Sequence, residues 1–111
     1  MTNDRAALVK KWFHVYGGGG LKLPDGWFGR PHDNIHRLTF VAQTASWLII
    51  ELDESLLLTF RDAETVSHEG RDLVVADFAS CVFDWKEYGS LRGHVSHYDQ
   101  GEVRVLPPPG A

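Results

Sequence analysis

Residues 47–61 read WLIIELDESLLLTFR, and the way the two halves of this stretch pair decides the fold. Both halves are largely apolar, and Asp53, Glu54 and Ser55 separate them, so the stretch predicts a β-hairpin. With a two-residue loop, Ile50 would face Leu57 and Leu48 would face Thr59, which mixes the apolar residues across both faces. With a three-residue loop, Leu52 faces Leu56, Ile50 faces Leu58 and Leu48 faces Phe60. Six apolar side chains then share one face, and register follows the buried face. The three-residue loop is therefore expected, although no glycine eases it.

The other face of this hairpin is not polar, as that of a one-sided sheet should be. It carries Trp47, Ile49 and Leu57, and Val41 is expected beside them. Something must cover it. One candidate is an N-terminal helix over about residues 3–16, capped by Thr2, Asn3 or Asp4, with Val9, Trp12, Phe13 and Tyr16 on one stripe and a stop at Gly17. The other candidate is a second copy of the protein. The helix is nearer in the chain, and it is the expected cover.

Further strands are expected at Ile35–Gln43, Thr65–His68, Leu73–Phe78, Cys81–Lys86 and Val103–Leu106, at intervals typical of antiparallel structure. No helix-length segment lies between them, so an antiparallel rather than a parallel sheet is expected. The run Gly17–Gly20 reads as a joint or a close-approach loop, and Leu23-Pro24-Asp25-Gly26 reads as a turn. The expected architecture is mainly β (α+β). It is an antiparallel meander, sandwich or partly open barrel of about six to eight strands with one N-terminal helix packed on it. At 111 residues the chain has room for one core, so residues 1–106 are read as a single domain, with a glycine-rich joint at 17–20, a β region over 21–106 and an extended proline-rich tail over 107–111.

Composition excludes several functions. The net charge of −4 does not suit a general nucleic-acid binder. No apolar run is long enough to span a membrane, and the N-terminus does not resemble a signal peptide, so a cytoplasmic setting is expected. One cysteine rules out an internal disulfide framework. Cys81 alternates with Phe83 and Trp85, so it is read as a core residue with a raised pKa, and Trp85 as buried with it. No nucleophile elbow, zinc-protease motif, Ca²⁺ loop or phosphate loop occurs, and no catalytic residue, cofactor or metal is assigned. His32 and His36 would lie about 13 Å apart on a strand, and His94 and His97 would lie on opposite faces of one, so neither pair reads as a metal site.

Two surfaces remain. The Gly29–Asn34 loop sets Arg30, His32, Asp33 and Asn34 beside Trp27 and Phe28. That combines an arginine fork for a carboxylate or phosphate with an aromatic platform, and Trp27, Arg30, His32, Asp33 and Asn34 are the candidate ligand residues. Residues 51–87 carry ten acids and three bases, and Asp53, Glu54, Asp62 and Glu64 are the candidate partner-binding residues. The expected function is a small non-enzymatic interaction module, of the inhibitor or immunity kind, that binds a basic protein through this acidic middle. The alternative is a small-molecule-binding domain or enzyme built on the Trp27–Asn34 loop. A pocket beside that loop would favour the second.

Overall fold

The computed structural model describes residues 4–29, 35–86 and 93–108. The hairpin has the expected register. β4 (Trp47–Leu52) pairs antiparallel with β5 (Leu56–Arg61), with Leu52 opposite Leu56, Ile50 opposite Leu58 and Leu48 opposite Phe60. All six are buried. The loop takes the place of a glycine with two acids in the left-handed region, Asp53 at φ 55° and Glu54 at φ 58°. That conformation crowds the Cβ of an L-residue.

Around this hairpin the chain builds two five-stranded antiparallel sheets. The remaining strands are β1 (Gly20–Leu23), β2 (Gly26–Phe28), β3 (Leu38–Gln43), β6 (Thr65–Glu69), β7 (Asp72–Ala76), β8 (Ser80–Lys86), β9 (Gly93–Tyr98) and β10 (Glu102–Leu106). One sheet runs β3-β4-β5-β8-β9 and the other β2-β1-β10-β7-β6. The described strands number ten, rather than six to eight. The β1–β2 hairpin is too short for its pattern to mark strands in sequence, and the polar β9, GHVSHY, lacks an apolar alternation. Between the sheets lie Leu21, Leu48, Leu58, Phe60, Leu73, Phe83 and Val103, with Cys81 fully buried among them.

The helix α1 (Arg5–Tyr16) begins at an Asp4 cap, whose carboxylate accepts from the Ala7 N–H, and ends at Gly17 with φ 79°. It packs along the open side of the sandwich, against the edge strands β3 and β6, and sends Val9, Trp12 and Phe13 into the core. Three bonds fix it there. The Arg5 guanidinium donates to the carbonyls of Ala63 (2.7 Å) and Thr44 (2.6 Å), and the Trp12 indole donates to that of Arg71 at 2.8 Å.

The helix therefore does not cover the face that carries Trp47, Ile49 and Leu57. An amphipathic stripe is drawn to the larger apolar opening, and here that is the gap between the two sheets. Trp47 is 42% exposed and Phe40, on the same face, is 52% exposed. Val41 does not join them. It pairs with Ile50, so it points into the core, while Phe40 and Ala42, opposite Glu51 and Ile49, point outward.

Gly18 and Gly19 prove to be close-approach positions. A Cβ on Gly18 would lie 2.6 Å from the His36 carbonyl, and one on Gly19 would collide with the Leu106 carbonyl and the Trp12 ring. Among the described residues, no helix is long and apolar enough to cross a membrane.

Candidate aromatic cleft

The helix closes one open side of the sandwich. The opposite side, between β2 and the β8–β9 pair, forms a cleft of about 460 Å³. Its floor is aromatic. Phe28, inward-facing on β2, meets Phe83 edge-on at 5.0 Å and Trp85 edge-on at 5.1 Å. Trp85 stacks on His94, with centroids 4.4 Å apart and planes 17° from parallel. It is half-buried rather than sealed in the core, because β8 and β9 flank an open side with no further layer over it.

The mouth is polar. Asp25, in the turn between β1 and β2, accepts a hydrogen bond from the Tyr98 hydroxyl at 3.0 Å, which straps β9 to that turn. Burial and this bond to a carboxylate both raise the Tyr98 pKa above its ordinary value. Ser96 completes the wall. Trp27 stands at the rim, 39% exposed, with the Lys22 ammonium 5.9 Å from its ring. Asp25 is the only charged side chain among the described residues that line the cleft.

Of the expected ligand residues, Trp27 is placed here. Arg30, His32, Asp33 and Asn34 lie outside the described residues, and so does the question of whether His32 approaches His36. Asp25, Trp85, Ser96 and Tyr98 were not anticipated. Asp25 reads in sequence as a turn residue, and Ser96 and Tyr98 belong to a strand that the apolar pattern does not reveal. His94 and His97 do fall on opposite faces of β9, the first against Trp85 and the second near Asp99.

His36 sits behind Phe28, its ring 5.7 Å away. Its Nδ1–H donates to Asp53 at 2.7 Å, while its Nε2 is buried without a partner among the described residues. Asp53 also accepts from the Arg37 N–H at 2.9 Å, so this acid holds the start of β3 against the β4–β5 turn. Glu54 lies beside it in that turn. Asp62 and Glu64 lie beyond the far end of β5, about 17 Å away along the strand. There they border a hollow of about 620 Å³ around Arg5, whose guanidinium is already bonded to two carbonyls.

Other acids of the middle segment have local tasks. Asp62 and Asp77 occupy left-handed turn positions that aspartate tolerates better than most residues. Glu69 and Asp72 close on Arg104 at 2.6 and 3.1 Å. No group of three or more histidine, cysteine or acidic residues able to hold a metal occurs among the described residues. Compared with protein-family models, curated proteins and solved structures, the chain matches none.

Proposed function

We propose that this domain is a binding module that takes a small organic cation, such as a substituted ammonium group on a flat or apolar body, in the cleft between β2 and β9. The observation that carries this reading is the single carboxylate, Asp25, set at the mouth of a cleft walled by Phe28, Trp85 and Tyr98. Aromatic faces attract cations through their quadrupoles, and a carboxylate adds a direct counter-charge. A concave apolar wall with few polar groups is the usual form of a small-ligand site. The lone, buried cysteine also accords with the cytoplasmic setting expected from the sequence.

A basic protein bound through the acidic middle has weaker support. The four acids singled out for it lie in two groups at opposite ends of β5, and Asp53 is engaged by His36 and the Arg37 backbone.

The test is a titration of the labelled protein with benzyltrimethylammonium, benzyl alcohol and benzoate, followed by NMR shifts of the Trp85 and Tyr98 resonances. The ammonium compound should give saturable shifts, and the neutral alcohol much weaker ones. Asp25→Asn, which keeps an acceptor for Tyr98, should weaken ammonium binding about tenfold, the equivalent of about 1.4 kcal/mol. Preferential binding of benzoate would overturn the cation reading. The absence of saturable shifts with any of the three would overturn the cleft as a ligand site.

A further inference from the structure

The outer face of the β3-β4-β5-β8-β9 sheet is left uncovered by the helix, and its residues can be laid out in rows from the strand register. The row nearest the β4–β5 turn is Phe40, Glu51, Leu57, Asp84 and Val95. The middle row is Ala42, Ile49, Thr59, Val82 and His97. The far row holds Trp47, Arg61 and Ser80. Seven of these thirteen residues are apolar, and three of them are open to solvent: Phe40 at 52%, Trp47 at 42% and Val95 at 67% exposure. Exposed apolar patches of this kind on a folded domain mark an interaction site.

The charges on this face are ordered. Both carboxylates, Glu51 and Asp84, stand in the first row on either side of Leu57, and the Arg61 guanidinium stands in the far row on the same strand as Leu57. Arg61 has a loose contact with its neighbour Asp62 at 3.7 Å, and Glu51 accepts a bond from the Thr39 hydroxyl at 3.2 Å. Rotating a second copy by half a turn about an axis in the plane of the sheet, across the strands and through the middle row, lays each strand over its own copy with the rows reversed. Arg61 of one chain then comes down on Leu57 of the other, between Glu51 and Asp84, and the same happens at the symmetric position. Thr59 meets its own copy at the centre with Ile49 and Val82 meeting theirs on either side, and Trp47 lands on Glu51 with Phe40 and Leu57 flanking it. The other in-plane axis, along β5, would set Glu51 against Asp84 and bring like charges together. The face is thus self-complementary in one orientation, as a two-fold interface must be.

We infer that this face is where a second copy of the chain docks, sheet to sheet, with Arg61 held between Glu51 and Asp84 of the partner. Five strands about 4.8 Å apart and six residues long present roughly 24 by 20 Å, so two such faces bury nearly 1,000 Å², near the lower bound for a specific interface. The inference does not depend on the cleft, which lies between the sheets on the other side of β8 and β9.

The experiment uses the whole chain and reads mass in solution by sedimentation equilibrium, with circular dichroism to confirm folding. The natural protein should weigh twice the 12.5 kDa of one chain. Arg61→Glu should be monomeric, and so should the double variant Glu51→Lys with Asp84→Lys, because each sets like charges together twice across its own interface. Mixed in equal amounts, the two variants should recover the dimer, since both charge clusters become complementary in the mixed pair. If one variant fails to fold, the other still carries the prediction of a monomer. A natural protein that is folded and monomeric at its highest soluble concentration would overturn the inference and leave the face to a different partner. So would a dimer indifferent to Arg61→Glu. Variants that stay monomeric when mixed would overturn the orientation.

Discussion

At the scale of the residue, Cys81 shows how far side-chain reading reaches. Its alternation with Phe83 placed it in the core, and it is fully buried between the sheets. Burial without a charged partner pushes its thiol from 9.0 up to about 12. Because the folded pKa lies above the unfolded one, the contribution to stability is whole below pH 9 and is lost as pH climbs toward 12. Unfolding free energy should therefore fall with pH in that window by about 1.4 kcal/mol per unit more steeply in the natural protein than in Cys81→Ala. Denaturant titrations at several alkaline pH values check this, and equal slopes for the two proteins would refute it. The same alternation misplaced Trp85. Parity along a strand says which face a residue takes, but not whether another layer lies over it, and at β8 the cover ends where β2 runs out.

At the scale of the element, the central hairpin was legible because six apolar side chains make one register far better than its neighbours. The strands that escaped notice are those in which that signal is missing. β1 and β2 are pieces of four and three residues that each begin at a glycine, and β9 mixes histidine, serine and valine. Each forms because a neighbouring strand offers it backbone partners, which is a long-range effect that no local window contains. The glycine run is a mixed case. Its four residues read alike in sequence, yet they serve differently. Gly17 caps the helix in the left-handed region with nothing near its missing Cβ, whereas Gly19 has no room for one between Leu106 and Trp12. Gly17→Ala should cost about 1–2 kcal/mol from backbone strain alone. Gly19→Ala should cost about 3 kcal/mol, at the upper end for overpacking, because its neighbours are a carbonyl and a buried ring rather than a flexible side chain. It should also loosen the packing of Trp12, visible as a red shift in tryptophan emission. Equal urea midpoints for the two variants would contradict the close-approach role.

At the scale of the whole molecule, the class and the sandwich were readable from strand spacing, but the function was not. The cleft draws on a turn at Asp25, an edge strand at Phe28 and a late strand at Tyr98, and only the closing of two sheets brings them together. The acidic middle, conspicuous in sequence, disperses among turns and strand faces in the fold, and the four acids singled out for a partner fall at opposite ends of β5. The uncovered sheet face and the cleft lie on different sides of β8 and β9, so the two proposed activities should be separable. Arg61→Glu should bind benzyltrimethylammonium as the natural protein does, and a large change in its NMR titration would show the two surfaces to be coupled. The arrangement of the second sheet has a consequence for the chain in the cell. β10, the last of the ten described strands to be synthesised, lies in the middle of that sheet, with β1 on one side and β7 on the other. While a ribosome is still adding residues 102–106, the β1–β2 and β6–β7 hairpins have no strand between them. Each shows a bare inner edge, the kind of surface that recruits chaperones or stray strands. The second sheet therefore cannot be completed piecemeal from its N-terminal strands, and it closes only once residues 102–106 are available.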